Sequence, residues 1–208
     1  DLEKDEPVEY DVLYENNGYQ KIRFLAEDVP PMGYKGYAIR SLQDPEEQQE
    51  ENNTIPDNIA ENKYYKLTID KETGGISSLI DKSEGKEMVD AESSYGLNEY
   101  LYVSGGENSK VLNHGMGLPP ADLTINKPGS ARIVENVETA VGHRIVVETS
   151  STNTPTIRSE YRLYDNLKRI DLINTIQKIS TYDKEGVYFA FPFNIDQPEV
   201  AYQIQNGW

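Results

Sequence analysis

From Glu160 to Phe193 the chain alternates apolar and polar residues through three successive runs. Ile157, Ser159, Tyr161 and Leu163 fall on one side of an extended segment, with Arg158, Glu160 and Arg162 on the other. Asp165-Asn166 supplies turn chemistry. After it Ile170, Leu172 and Ile176 oppose Arg169, Asp171 and Gln177. A third run sets Val187, Phe189, Phe191 and Phe193 against Tyr188, Ala190 and Pro192. A two-residue period of this length is the pattern of half-buried antiparallel strands. Three such runs predict one sheet with a single apolar face. Phe189, Phe191 and Phe193 are then core, and the charged faces meet solvent or another domain.

The same pattern recurs upstream. Val8, Tyr10 and Val12 alternate with polar neighbours, Asn17-Gly18 is a strong hairpin turn, and Ile22 and Phe24 return the chain. Val29-Pro30-Pro31-Met32-Gly33 changes direction, and Tyr34 to Ile39 reads as a resumed strand. Residues 43–58 have no periodicity and read as an acidic linker between terminal strands of a small β domain (1–42) and a main domain (59–208). The main domain opens with Tyr65, Leu67 and Ile69, turns at Lys71 to Gly75, and returns from Ile76 to Lys82. Leu97 to Val103 reads as one strand, with Leu97, Leu101 and Val103 on one side and Asn98, Tyr100 and Tyr102 on the other. Residues 104–130 are a long Gly-, Pro- and Asn-rich stretch, a length that more often serves function than connection. Ala131–Val137 and His143–Thr149 form a further hairpin around Ala140-Val141-Gly142. Repeated strands without helical periodicity predict an all-β, antiparallel sandwich. Beginning at Asp1 and stopping at Trp208, the chain reads as an excised piece of a longer protein, cut short at its carboxy end.

Composition narrows the function. A formal net charge of -16 over 208 residues argues against nucleic acid and anionic membrane as partners, and most simply serves solubility. No run is long and apolar enough to span a bilayer. The absence of cysteine excludes disulfides, thiol catalysis and zinc–thiolate sites, and leaves the compartment unread. Asn52-Asn53-Thr54 fits a glycosylation sequon of a kind common by chance.

Candidate chemistry is sparse. The two histidines, His114 and His143, have no metal-ligand spacing. No nucleophile elbow is present. With 36 Asp and Glu, pairs at glycosidase spacing are uninformative without a cleft. Tyr95, Tyr100 and Tyr102 cluster with Asn98. Tyrosine and asparagine at a cleft edge can stack on a sugar ring and bond its hydroxyls. Equally, Tyr100 and Tyr102 can fill the sheet's core.

Three stretches carry a resemblance. VPPMGYKGY (29–37), ENKYYKLTID (61–70) with GISSLIDK (75–82), and EGVYFAFPF (185–193), in that order, resemble the carboxy-terminal β region of glycoside hydrolase family 38, the α-mannosidases. The resemblance implies a β-supersandwich of the galactose-mutarotase type, itself non-catalytic, that packs on the catalytic domain of the same chain. Retaining hydrolysis of α-mannosides, with a zinc ion and an Asp nucleophile, would reside in that other domain, whose motifs are absent here. No cofactor and no catalytic residue are expected in this segment. Mannose-containing glycans are the implied ligands. Asn98-Glu99-Tyr100-Leu101-Tyr102 resembles the strand that places a tyrosine near the sugar, making Tyr100, Asn98 and Tyr102 the candidate substrate contacts. Rival readings are an independent carbohydrate-binding module and a structural or adhesive sandwich.

Overall fold

The structure, a computed structural model, describes residues 1, 6–39, 58–106, 122–199 and 201. The linker at 43–57, its sequon, residues 40–42 and His114 lie outside the described residues, as does 107–121 of the Gly-rich stretch. Among the described residues there are strands and no helix. They are β1 (Tyr10–Asn16), β2 (Tyr19–Phe24), β3 (Ile59–Glu61), β4 (Tyr65–Ile69), β5 (Ile76–Asp81), β6 (Lys86–Glu87) and β7 (Tyr100–Gly105). Then follow β8 (Leu123–Asn126), β9 (Arg132–Thr139), β10 (Gly142–Ser151), β11 (Thr154–Tyr164), β12 (Ile170–Gln177) and β13 (Glu185–Phe189).

The four-stranded sheet β12-β11-β10-β9 forms one layer. Its inward rows run Leu163–Ile170, Tyr161–Leu172 and Ser159–Asn174 across β11 and β12, continued by His143, Ile145 and Val147 on β10. Two smaller sheets, β3-β4-β5-β6 and β13-β7-β8, face it. Ala60, Leu67, Ile69, Ile76 and Leu79 pack on Ile145, Val147, Tyr161 and Leu163. Tyr100, Tyr102, Val187 and Phe189 pack on Ile157. Single bridges, Ile76 to Leu97 and Val89 to Phe193, stitch the two smaller sheets into one layer. The result is an all-β antiparallel sandwich. Outward on the large sheet, Arg158 and Arg132 meet Glu148, and Arg162 meets Glu160. Beneath these charged side chains Val146 is buried.

The expected hairpins of this layer are present, and Gly142 is required at the β9–β10 turn. Its φ is 140°, and a Cβ there would collide with the Leu163 carbonyl oxygen. Asn17 and Gly18 turn β1 into β2 with φ of 48° and 82°, the two positive values that an I′ turn needs. This hairpin meets the sandwich where Asp11 accepts the Ala140 N–H at 2.8 Å.

Several details differ from the sequence pattern. The run from Val187 does not join β11 and β12; the 178–184 connection carries it to the other layer, where it pairs with β7. Its strand ends at Phe189, before Pro192, which has no N–H to give a ladder. Phe191 and Phe193 are consequently 50% and 45% exposed instead of core. Residues 34–39 form no strand; Tyr37 packs edge-on against Phe24, centroids 4.7 Å apart. The 104–130 stretch contains β8, which pairs with β7.

Candidate functional site

The segment that carries the candidate residues is a turn and then a strand, not one continuous strand. Leu97 exchanges both backbone hydrogen bonds with Ile76, at 2.8 and 2.9 Å. Asn98 then takes φ of 60°, in the left-handed region where asparagine is better tolerated than most residues. Its N–H donates to the Ala190 carbonyl at 2.6 Å, and the Ala190 N–H donates to Glu99 at 2.9 Å. The reversal feeds Tyr100 into β7 beside β13.

The Asn98 side chain enters the sandwich. Its amide nitrogen donates to Asn174 Oδ1 at 3.0 Å and to the Tyr161 hydroxyl at 3.2 Å. The Asn174 amide donates back to Asn98 Oδ1 at 2.7 Å, and Ser159 donates to Asn174 Oδ1 at 2.8 Å. Tyr161 in turn donates to the Gly74 carbonyl at 2.9 Å. Burial pushes the Tyr161 phenol up to about 12. A polar network thus ties the Asn98 turn, β11, β12 and the β4–β5 turn through satisfied groups, the condition for a polar core to stabilise rather than cost.

Tyr100 and Tyr102 are engaged in the same way. The Tyr100 hydroxyl shares a hydrogen bond with Thr154 at 2.6 Å, and its ring stands edge-on to Phe189. Tyr102 donates to Glu185 at 2.5 Å and accepts from Asn153 at 2.9 Å. That bond to Glu185 raises the Tyr102 phenol, whereas Lys178, 2.6 Å from the other Glu185 oxygen, draws the carboxyl below its ordinary value. Asn98, Tyr100 and Tyr102 are each 2% exposed. A direct sugar contact needs surface, and these three side chains spend theirs on packing and internal hydrogen bonds. What the structure brings together around Asn98 is Tyr161, Ser159 and Asn174, which the alternation did not single out as polar partners. The available signal was polarity at inward register positions: Ser159 and Asn174 occupy rows otherwise filled by Ile, Leu and Tyr.

His143 is buried on β10. Its Nε2 faces Asn136 Oδ1 at 2.5 Å, while Nδ1 lies 3.4 Å from the Glu61 N–H nitrogen and 3.3 Å from its carbonyl oxygen. Burial lowers its pKa. It joins β9, β10 and β3 as a structural tie. Among the described residues no group of three or more His, Asp or Glu is placed to hold a metal. The donors present therefore do not fit a zinc site, and no step through zinc is assigned to them. A cavity of about 250 Å³ opens where Glu6, Glu9, Glu27 and Tyr37 approach Ala140 and Asn166. It shares no residue with the Asn98–Tyr102 segment.

The family model described as glycosyl hydrolases family 38 C-terminal domain matches residues 60–208. No curated protein matches the chain.

Proposed function

The chain belongs to the glycosyl hydrolase family 38 C-terminal domain family, and from that premise we propose that it is the non-catalytic supporting region of an α-mannosidase-like hydrolase. Its partner is the catalytic domain, and its ligands, through that domain, are mannose-containing glycans. One observation carries the supporting role: the β13-β7-β8 sheet carries large apolar side chains on both faces. The inner face, Tyr100, Tyr102, Val187 and Phe189, is closed by Ile157. By register the outer face carries Tyr188 with Leu101, and Val103 with Ile125, with Leu123 beside Gly105. Tyr188, Ile125 and Leu123 are exposed. Sheets apolar on both sides are ordinarily covered on both sides, and exposed apolar patches mark interaction surfaces. In this reading Asn98 anchors the Tyr95–Glu99 turn from behind, Tyr100 and Tyr102 seat the strand that follows it, and the turn contributes to the rim of the sugar pocket.

The chain alone, assayed on 4-nitrophenyl α-mannoside with zinc, should give no turnover; robust turnover would overturn the supporting role. In a polypeptide joining the chain to its catalytic domain, Ile125→Asp should weaken docking by about 1.5–3 kcal/mol, the value of one fully buried aliphatic side chain. Unchanged activity and unchanged thermal stability of that variant would remove the outer face as the docking surface.

A further inference from the structure

Beside the Asn98 turn lies a second cluster that the polar network does not use. Glu99 has a side chain only 3% exposed. Its Oε2 accepts the Gly96 N–H at 2.7 Å. Its Oε1 is buried and receives no hydrogen bond of ordinary geometry. The charge there is met by Lys127 Nζ, 3.1 Å away, on a side chain 41% exposed. The same ammonium donates to the Ser94 carbonyl and lies 4.8 Å from the centroid of the Tyr95 ring. A carboxylate, a backbone carbonyl and an aromatic face, three kinds of group that bind ammonium ions, converge on one nitrogen. Gly75 lets the Glu99 backbone and Cβ approach closely: a Cβ at 75 would stand 3.0 Å from the Glu99 Cβ.

We propose that Ser94, Tyr95 and Glu99 form an ammonium-binding site whose built-in occupant is Lys127, and that this occupancy holds the turn that places Asn98. An exposed ion pair would be worth little. Here one partner is buried, so removing the cation strands a carboxylate that has already left water. Lys127 stands one residue beyond β8, so the site couples the end of that strand to the turn that opens β7. With the lysine side chain trimmed, the site accepts a small primary alkylammonium ion.

The test is amide hydrogen exchange at Gly96, Leu97 and Asn98 in the full chain, which needs no hydrolytic activity. Lys127→Ala should raise exchange at these amides by about tenfold or more, since the buried carboxylate loses its counter-charge. Propylammonium chloride should restore protection saturably, and sodium chloride at equal ionic strength should not. Adding Glu99→Gln should also restore it, because the amide keeps the Gly96 bond without needing a counter-charge. Wild-type exchange in Lys127→Ala would overturn the proposal. So would loosening that neither propylammonium nor Glu99→Gln relieves, the result expected if Lys127 merely packs. Should Lys127→Ala fail to fold, a folded Lys127→Ala/Glu99→Gln chain supports the proposal, and failure of both chains overturns it.

Discussion

Replacing Asn98 by alanine removes a backbone preference and a hydrogen-bonding group together. An L-residue with a Cβ pays roughly 1 kcal/mol in the left-handed region that asparagine and glycine enter more readily. Loss of the amide leaves the Asn174 side chain and the Tyr161 hydroxyl short of a partner, at about 1–3 kcal/mol. Tyr161 keeps the Gly74 carbonyl and Asn174 keeps Ser159, so the lower half of that range applies. The sum is about 2–3 kcal/mol, a large share of a stability of roughly 5–15 kcal/mol. Asn98→Gly isolates the second contribution, since glycine takes φ of 60° without strain. Urea unfolding at pH 7 reads both variants as shifts in midpoint at constant slope. Alanine should lie about 1 kcal/mol below glycine, and glycine below wild type. In Asn98→Ala/Asn174→Ala the two losses should overlap by about 1 kcal/mol, as contacting residues do. A loss under about 0.5 kcal/mol for Asn98→Ala, the range of ordinary surface substitutions, would refute the reasoning. Identical glycine and alanine variants would refute its backbone half.

Two pH effects complete the predictions. Burial lowers the His143 pKa, so the native state binds fewer protons than the unfolded chain between the lowered value and about 6.5. His143 should therefore contribute stability that is complete above the unfolded pKa and declines as pH falls through that window. His143→Gln should flatten the decline in urea titrations carried out below about pH 6.5, and an unchanged slope would contradict the assignment. The Lys168 ammonium, with the Ser83 hydroxyl and N–H, holds the Asp81 carboxyl at about 2. Its contribution to stability is present above the ordinary value of 3.8 and is lost as pH falls toward 2. Carbon-detected NMR should find Asp81 titrating near that value and moving upward in Lys168→Met; an ordinary carboxylate titration in the wild type would contradict the geometry.

Period-two alternation settles the side of a strand on which a residue lies, and on that question β11 was legible residue by residue. Ile157, Tyr161 and Leu163 are buried, and Arg158, Glu160 and Arg162 are not. Alternation carries no information on which sheet a strand joins, so β13 was placed beside β12 when it pairs with β7. Nor does it say whether an apolar side is covered. The odd-numbered phenylalanines continue the pattern of Val187 past the strand's end, yet only Phe189 packs against Tyr100. At Asn98 the limitation is sharper. A single left-handed residue reverses the chain without interrupting the run LNEYLYV, so the run looks like one strand although β7 begins at Tyr100. Tyr100, Tyr102 and Asn98 stand out in their run because they are the wrong chemistry for a purely apolar face. The partners of Asn98 were not legible because they lie on two other runs, Ser159 and Tyr161 on one and Asn174 on the next. Ser159, Tyr161 and Asn174 acquire meaning only when registers Ser159–Asn174 and Tyr161–Leu172 bring them under the turn. A polar residue at an inward position therefore predicts an internal partner, side chain or backbone, since it cannot be buried alone. In this chain Ser159 and Asn174 find theirs in one another and in Asn98, and the structure joins the three by side-chain hydrogen bonds.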